Sequence, residues 1–249
     1  MTITSLVVLQ SKYRTKDSRS TSDFTVNIGQ SIEVSRIAVK SIYIPNSRYN
    51  INQYTNKIVV NGIVVTIPLG QYGGQAFRDV VSEAIGLAIG DTTFVLTRGN
   101  ITGKSTLTST VVPTQISVDP IRSPMSKILG FTQETLGLFP PTGPLLTYDS
   151  QNLSDLSGLN QYFVASKVLS QGFNGLLKNG EQRAILVDVP ITSDYGTIQV
   201  YEPSDINLNI KTYVRPQNIQ EIDIQILDQD LRVVDLNGVD CEIVIKIFE

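Results

Sequence analysis

The chain has 249 residues, 41% of them apolar and only 17% charged, with a net charge of −3. That length suits one large β domain or two small ones, and a chain of this size buries roughly 70–75% of its extended surface on folding. The weak negative charge excludes a general nucleic-acid coat, which needs a basic footprint.

Residues 3–9 form a short β-prone run, and residues 10–22 a polar loop or arm carrying Lys12, Arg14, Lys16 and Arg19. These four bases could meet genome phosphate or an acidic neighbour, but a solvated loop accounts for them more simply. Phe24, Val26 and Ile28 then alternate in a strand over 23–28. A longer strand, 32–44, stops at Pro45-Asn46, and its apolar residues change face near Arg36-Ile37, as a bulge or burial on both sides would require.

Residues 50–147 read as a separate α+β unit. Asn61-Gly62 lies between two apolar runs and predicts a hairpin with a type I′ turn. A helix is expected from about Gly74 to Ile89, because Phe77, Val80, Val81, Ala84, Ile85 and Ala88 make one apolar stripe, with Gly90 as its C-terminal cap. Short strands follow at 92–98, 104–111 and 115–118, then a helical turn at Ser123–Leu129 and a Pro/Gly-rich exit at 137–147.

Further strands are expected at 160–168, 184–190, 196–202, 207–213, 221–228 and 241–248, with turns at 172–180, 192–194 and 203–205. In the last two, Ile222, Ile224 and Ile226 alternate with polar residues and Ile243, Ile245 and Ile247 share one face, and Asn237-Gly238 lies between the two strands. The pattern predicts a terminal antiparallel ribbon with one apolar face, covered by a second sheet. With 23–28 and 32–44 the count is eight, the number of strands in a jelly roll. The expectation is a mainly β chain: one jelly-roll β-sandwich made of 1–49 and 148–249. The 50–147 unit is inserted between its second and third strands.

Four stretches carry a family resemblance: the ending IDIQILDQDLRVVDLNGVDCEIVIKIFE (222–249), TIPLGQYGGQAFRDVVSEAI (66–85), SPMSKILGF (123–131) and YGTIQVYEPSDINL (195–208). Together and in this order they resemble the minor capsid (penton) proteins of virophages and polinton-like viruses. The resemblance implies a vertex component of an icosahedral virion, present as a homopentamer among trimers of a double-jelly-roll major capsid protein. It implies shapes rather than individual site residues, so no catalytic, cofactor-binding or metal residue is assigned.

Chemistry is sparse. No histidine occurs, which removes the His-dependent nucleophile triads and the common zinc sites. Gly99-Asn100-Ile101-Thr102-Gly103-Lys104-Ser105 resembles a P-loop with three intervening residues instead of four, followed by a β-prone segment. The carboxylate pairs Asp228/Asp230, Asp235/Asp240 and Glu202/Asp205 could suit a glycosidase, and Asp228 with Asp230 a calcium ion, but these aspartates sit at predicted turns, where Asp bonds its own backbone. The single Cys241 excludes an internal disulfide and reads as a small half-buried apolar residue. Met1 is followed by neither a basic n-region nor an apolar h-region, and no run is long enough to span a membrane, so folding in a reducing host-cell interior is expected. A carbohydrate- or receptor-binding jelly-roll module is the alternative, although such modules often use exposed Trp and the chain has none.

Overall fold

The computed structural model describes residues 5–109, 114–132, 146–169, 176–178, 181–204 and 210–248. In chain order the strands and helices are β1 (Ser5–Gln10), β2 (Asp23–Pro45), β3 (Lys57–Val60), β4 (Ile63–Thr66), α1 (Gly74–Ile89), β5 (Val95–Arg98), β6 (Lys104–Ser109) and α2 (Met125–Ile128). There follow β7 (Leu146–Leu153), β8 (Gln161–Ala165), β9 (Leu176–Lys178), β10 (Glu181–Arg183), β11 (Ile185–Pro190), β12 (Ile198–Tyr201), β13 (Lys211–Leu227) and β14 (Glu242–Phe248). They fall into two compact units, Met1–Arg48 with Leu159–Glu249, and Tyr49–Gly158.

The first unit is a jelly roll, and its strand register establishes this. Residues 36–43 of β2 pair with β14 on one side and Ile42–Pro45 pair with β12 on the other; β14 also pairs with β1. This first layer has the order β1, β14, second half of β2, β12. Residues 23–34 of β2 pair with β13, whose start also reaches Arg36 and Ile37; β13 pairs with β8, which pairs with β11. All these pairings are antiparallel. Lettered B to I along the chain, the layers are B-I-D-G and C-H-E-F, the double Greek key of the jelly roll. The inward faces of both layers meet in one apolar cluster that includes Leu9, Phe24, Ile42, Val164, Ile224 and Ile245.

The strand count of eight holds, but with a different membership. The 3–9 run supplies a full jelly-roll strand, β1. The segments 207–213 and 221–228 are not two strands: the described part of the first joins the second in one continuous β13, and 207–209 lie outside the described residues. The predicted terminal ribbon is also corrected. Asn237 (φ 52°) and Gly238 (φ 76°) do form a left-handed turn, yet β13 and β14 belong to different layers and do not pair. Fourteen residues separate them, enough to cross the sandwich, and Val234 and Leu236 of that connection enter the core. The intervening unit, measured along the corrected strands, enters between the third and fourth.

Within the Tyr49–Gly158 unit, β3 and β4 form the hairpin at Asn61 (φ 50°) and Gly62 (φ 78°), both in the left-handed conformation a type I′ turn requires. Helix α1 packs Phe77, Val81 and Ile85 into a second apolar cluster and ends at Gly90, whose φ of 71° lets its N–H reach back to the last turn. The expected strand at 115–118 is reduced to a bridge between Ile116 and Val60. Strand β7 adds to β6, making a three-stranded sheet, β5-β6-β7, within the segment expected as an exit and the resumption of the sandwich; residues 137–145 lie outside the described residues.

Each cluster draws all of its residues from one unit. Replacing residues 49–158 by a short Gly/Ser linker is therefore expected to leave a soluble β protein that unfolds cooperatively in urea; a molten product would show that the units share a core. Truncating Ile224 to Ala, at a fully buried position of β13, is expected to cost about 2–5 kcal/mol in chemical denaturation. The same change at exposed Val8 should stay within about 0.5 kcal/mol.

Candidate interaction surface

Two strands of the first layer carry apolar side chains on the outside. In β1, Leu9 is fully buried, while Leu6 and Val8 point outward with 51% and 46% exposure. In β12 the usual alternation is inverted: Ile198 and Val200 are 61% and 50% exposed, and Gln199 between them is buried. The inward Gln199 is tolerated because its Oε1 accepts the backbone N–H groups of Thr192 and Ser193 at 2.8 and 2.9 Å, and its Nε2 donates to the Val200 carbonyl at 3.1 Å. It holds the turn that leads into β12.

Register places these residues on one outward surface. Gln10 lies opposite Glu242, Glu242 opposite Tyr43, and Tyr43 opposite Val200. The next row on the same side runs Val8, Val244, Ser41, and the next Leu6, Lys246, Ala38; Val244, Ser41 and Ala38 are buried, so this side is exposed at its β1 and β12 edges rather than across its middle. Glu242 accepts from the Gln10 side-chain amide, which joins β1 and β14 across this face. At one end lies a cleft of about 350 Å³ lined by Gln10, Lys12, Tyr43, Pro45, Ile198, Asp240, Cys241 and Glu242. The unbroken run Leu6-Val7-Val8-Leu9 signals a strand apolar on both faces, and Ile198-Gln199-Val200 fits either orientation, so only the first half of this surface was legible beforehand.

The cleft contains ionisable groups, and Asp240, Cys241 and Glu242 among them are held. Asp240 accepts the Ser11 hydroxyl at 2.7 Å and lies 3.6 Å from the Arg14 guanidinium. Ser11 Oγ in turn accepts the Cys241 N–H at 3.0 Å, and the Cys241 thiol donates to the Thr21 carbonyl at 3.3 Å. Burial pushes the thiol pKa up to about 12, so Cys241 is neutral and unreactive at neutral pH.

The other residues singled out from sequence are not brought together. The Gly99–Ser105 segment is the loop of the β5–β6 hairpin, closed by the Gly99 N–H to the Lys104 carbonyl at 3.0 Å, and Lys104 opens a strand rather than a helix. Asp228 Oδ1 accepts the N–H groups of Asp230 and Arg232 at 2.7 and 2.8 Å, and Asp235 accepts that of Asn237 at 2.8 Å; these aspartates build turns. Glu202 is exposed, and Asp205 lies outside the described residues. Of the four N-terminal bases, Arg14 pairs with Asp240, Arg19 lies 3.7 Å from Asp23, and Lys12 sits 4.8 Å from the centre of the Tyr13 ring. No group of His, Cys, Asp or Glu able to hold a metal occurs among the described residues. No helix there is long and apolar enough to cross a membrane.

No protein-family model matches the chain, and no curated protein matches it. Among solved structures it is similar to the mavirus penton protein, at 9% identity over 97% of this chain and 98% of that one, with a TM-score of 0.48. It is also similar to a chain of the Sputnik virophage cryo-EM structure, at 11% identity over 98% of this chain and 97% of that one, with a TM-score of 0.44. Likenesses of this size assign neither family nor activity; the jelly-roll fold stands on the strand register.

Burial of Cys241 has a measurable consequence. A thiol whose pKa is raised by folding adds stability that is fully present below its unfolded value of ~8.5 and is lost as pH rises towards the folded value. Ellman's reagent at pH 8 is expected to label the chain only as fast as it unfolds. Immediate stoichiometric labelling of the native protein would contradict this.

Proposed function

We propose that this chain is a non-enzymatic structural protein of an icosahedral virion, occupying the vertices as a homopentamer among trimers of a double-jelly-roll major capsid protein. The observation that carries the reading is the outward apolar face of the first layer, with Leu6, Val8, Ile198 and Val200 exposed on one jelly-roll sheet. A solitary soluble sandwich keeps such a face polar, whereas a packed shell covers it. The order of the four stretches that resemble penton proteins supports the same assignment, and the jelly roll is compatible with it. Low overall charge favours side-by-side packing of subunits. Contact with nucleic acid, if the N-terminal segment makes any, falls to Lys12 and Lys16, because Arg14 and Arg19 already face aspartates.

A carbohydrate-binding module would present flat aromatic rings on this sheet. The exposed side chains here are aliphatic, and Tyr43 is half-buried in its row.

Electron microscopy of particles containing the chain tests the assignment. Density for the jelly roll on the fivefold axes is expected; placement at threefold or pseudo-sixfold positions would overturn it. The purified protein is also expected to hydrolyse neither nucleotides nor glycosides. ATP turnover abolished by Lys104→Ala would refute that part.

A further inference from the structure

We infer that the outward face of the first jelly-roll layer docks against the outward face of the second layer on a neighbouring copy of this chain, joining subunits head to tail. The inference rests on the proposed self-assembly and names the two surfaces that perform it.

The two outer faces differ in chemistry. The first layer exposes Leu6 and Val8 on β1, Ile198 and Val200 on β12, and Lys40 at a bulge; Arg36, Lys246 and one acid, Glu242, are half-buried on the same side, and Ala38, Ser41 and Val244 between them are buried. The second layer presents acids: Glu33 opposite Asn218, Glu221 opposite Asn27, Asp223 opposite Thr25, and Asp188 opposite Phe163. Asp223 is occupied by the Ser166 hydroxyl and the N–H groups of Lys167 and Val168. Glu33, Glu221 and Asp188 are exposed, and among the described residues no ion pair within the chain takes them, or Arg36, Lys40 or Lys246. Thr25, Phe163 and outward-facing Pro190 give the acidic face apolar surface between its charges.

A twofold contact of the first face with itself would bring Lys40 and Lys246 towards their own copies. A contact between first and second faces sets these cations against Glu33, Glu221 and Asp188 while covering the aliphatic patch. Such a heterologous contact leaves each subunit with one used and one unused face, so it repeats until a ring closes.

Cross-linking of the full-length chain tests this. Val8→Cys and Asn27→Cys variants, at exposed positions of the two faces, are mixed and treated with a short bis-maleimide, both free in solution and within assembled particles. The expected product joins Cys at position 8 of one copy to Cys at position 27 of another. Reversing charge with Lys40→Glu and Lys246→Glu should lower its yield roughly two- to tenfold, the effect of a few exposed pairs, and added salt should do the same. Glu33→Lys with Glu221→Lys in the partner population should restore it. Circular dichroism and melting curves unchanged from the parent show that the variants fold. A dominant 8-to-8 product, or no product in either setting, overturns the interface. A vertex position with an 8-to-8 product would retain the capsid role and remove this interface; the 8-to-27 product in a chain absent from vertices would do the reverse.

Discussion

The jelly roll depends on one strand that belongs to both of its layers. β2 runs unbroken for 23 residues, and its inward side changes twice. Phe24, Val26 and Val34 face the core at even positions, Ile37 and Val39 at odd ones, and Ile42 and Ile44 at even ones again. The first change falls where its β13 partner jumps from Gln217 to Thr212, as β2 leaves the second layer. The second is a bulge: Val244 lies opposite Ser41 and Ile245 opposite Val39, so Lys40 has no opposite residue and projects outward. A slip of one residue would turn every inward side chain to solvent, so these two irregularities set the register of β13, β14 and β12 together.

Function follows from what that register leaves outside. Because β2 holds β14 and β12 on its two sides, the outward positions of β1, β14, β2 and β12 lie on one side of the layer, with the exposed apolar side chains on its edge strands β1 and β12 and Ala38, Ser41 and Val244 buried between them. The inverted alternation of β12, with Gln199 inward and satisfied by a turn, gives that side two of its four exposed aliphatic side chains, Ile198 and Val200. The opposite layer shows the ordinary pattern of a sheet facing water, with Glu33, Glu221 and Asp188 outward. Two unlike faces on one sandwich are what the proposed head-to-tail assembly requires. The buried thiol, the turn-building aspartates and the hairpin at Gly99–Ser105 have structural roles of their own.

Local features were legible in the residues. The stripe from Phe77 to Ala88 and Gly90 beyond it place α1 over Gly74–Ile89, because helix period and capping depend on neighbours within a few positions. Asn61-Gly62 likewise specifies its hairpin, and strict alternation in 221–226, with the isoleucines at every second position of 243–247, specifies strands. The phase change near Arg36 announced an irregularity in β2. By contrast, alternation says which side chains share a face of a strand and nothing about which layer that strand joins. The terminal ribbon was therefore misread: β13 and β14 have the period of hairpin partners, but each is paired with strands far away in sequence. β1 depends on pairing with β14 across more than 200 residues, and β7 on joining β6. The residues alone determined the local conformations and the apolar content of each strand, through short-range sterics and periodicity. Only the tertiary structure decided which strands pair, and with that whether Leu6, Val8, Ile198 and Val200 point into the core or out of it.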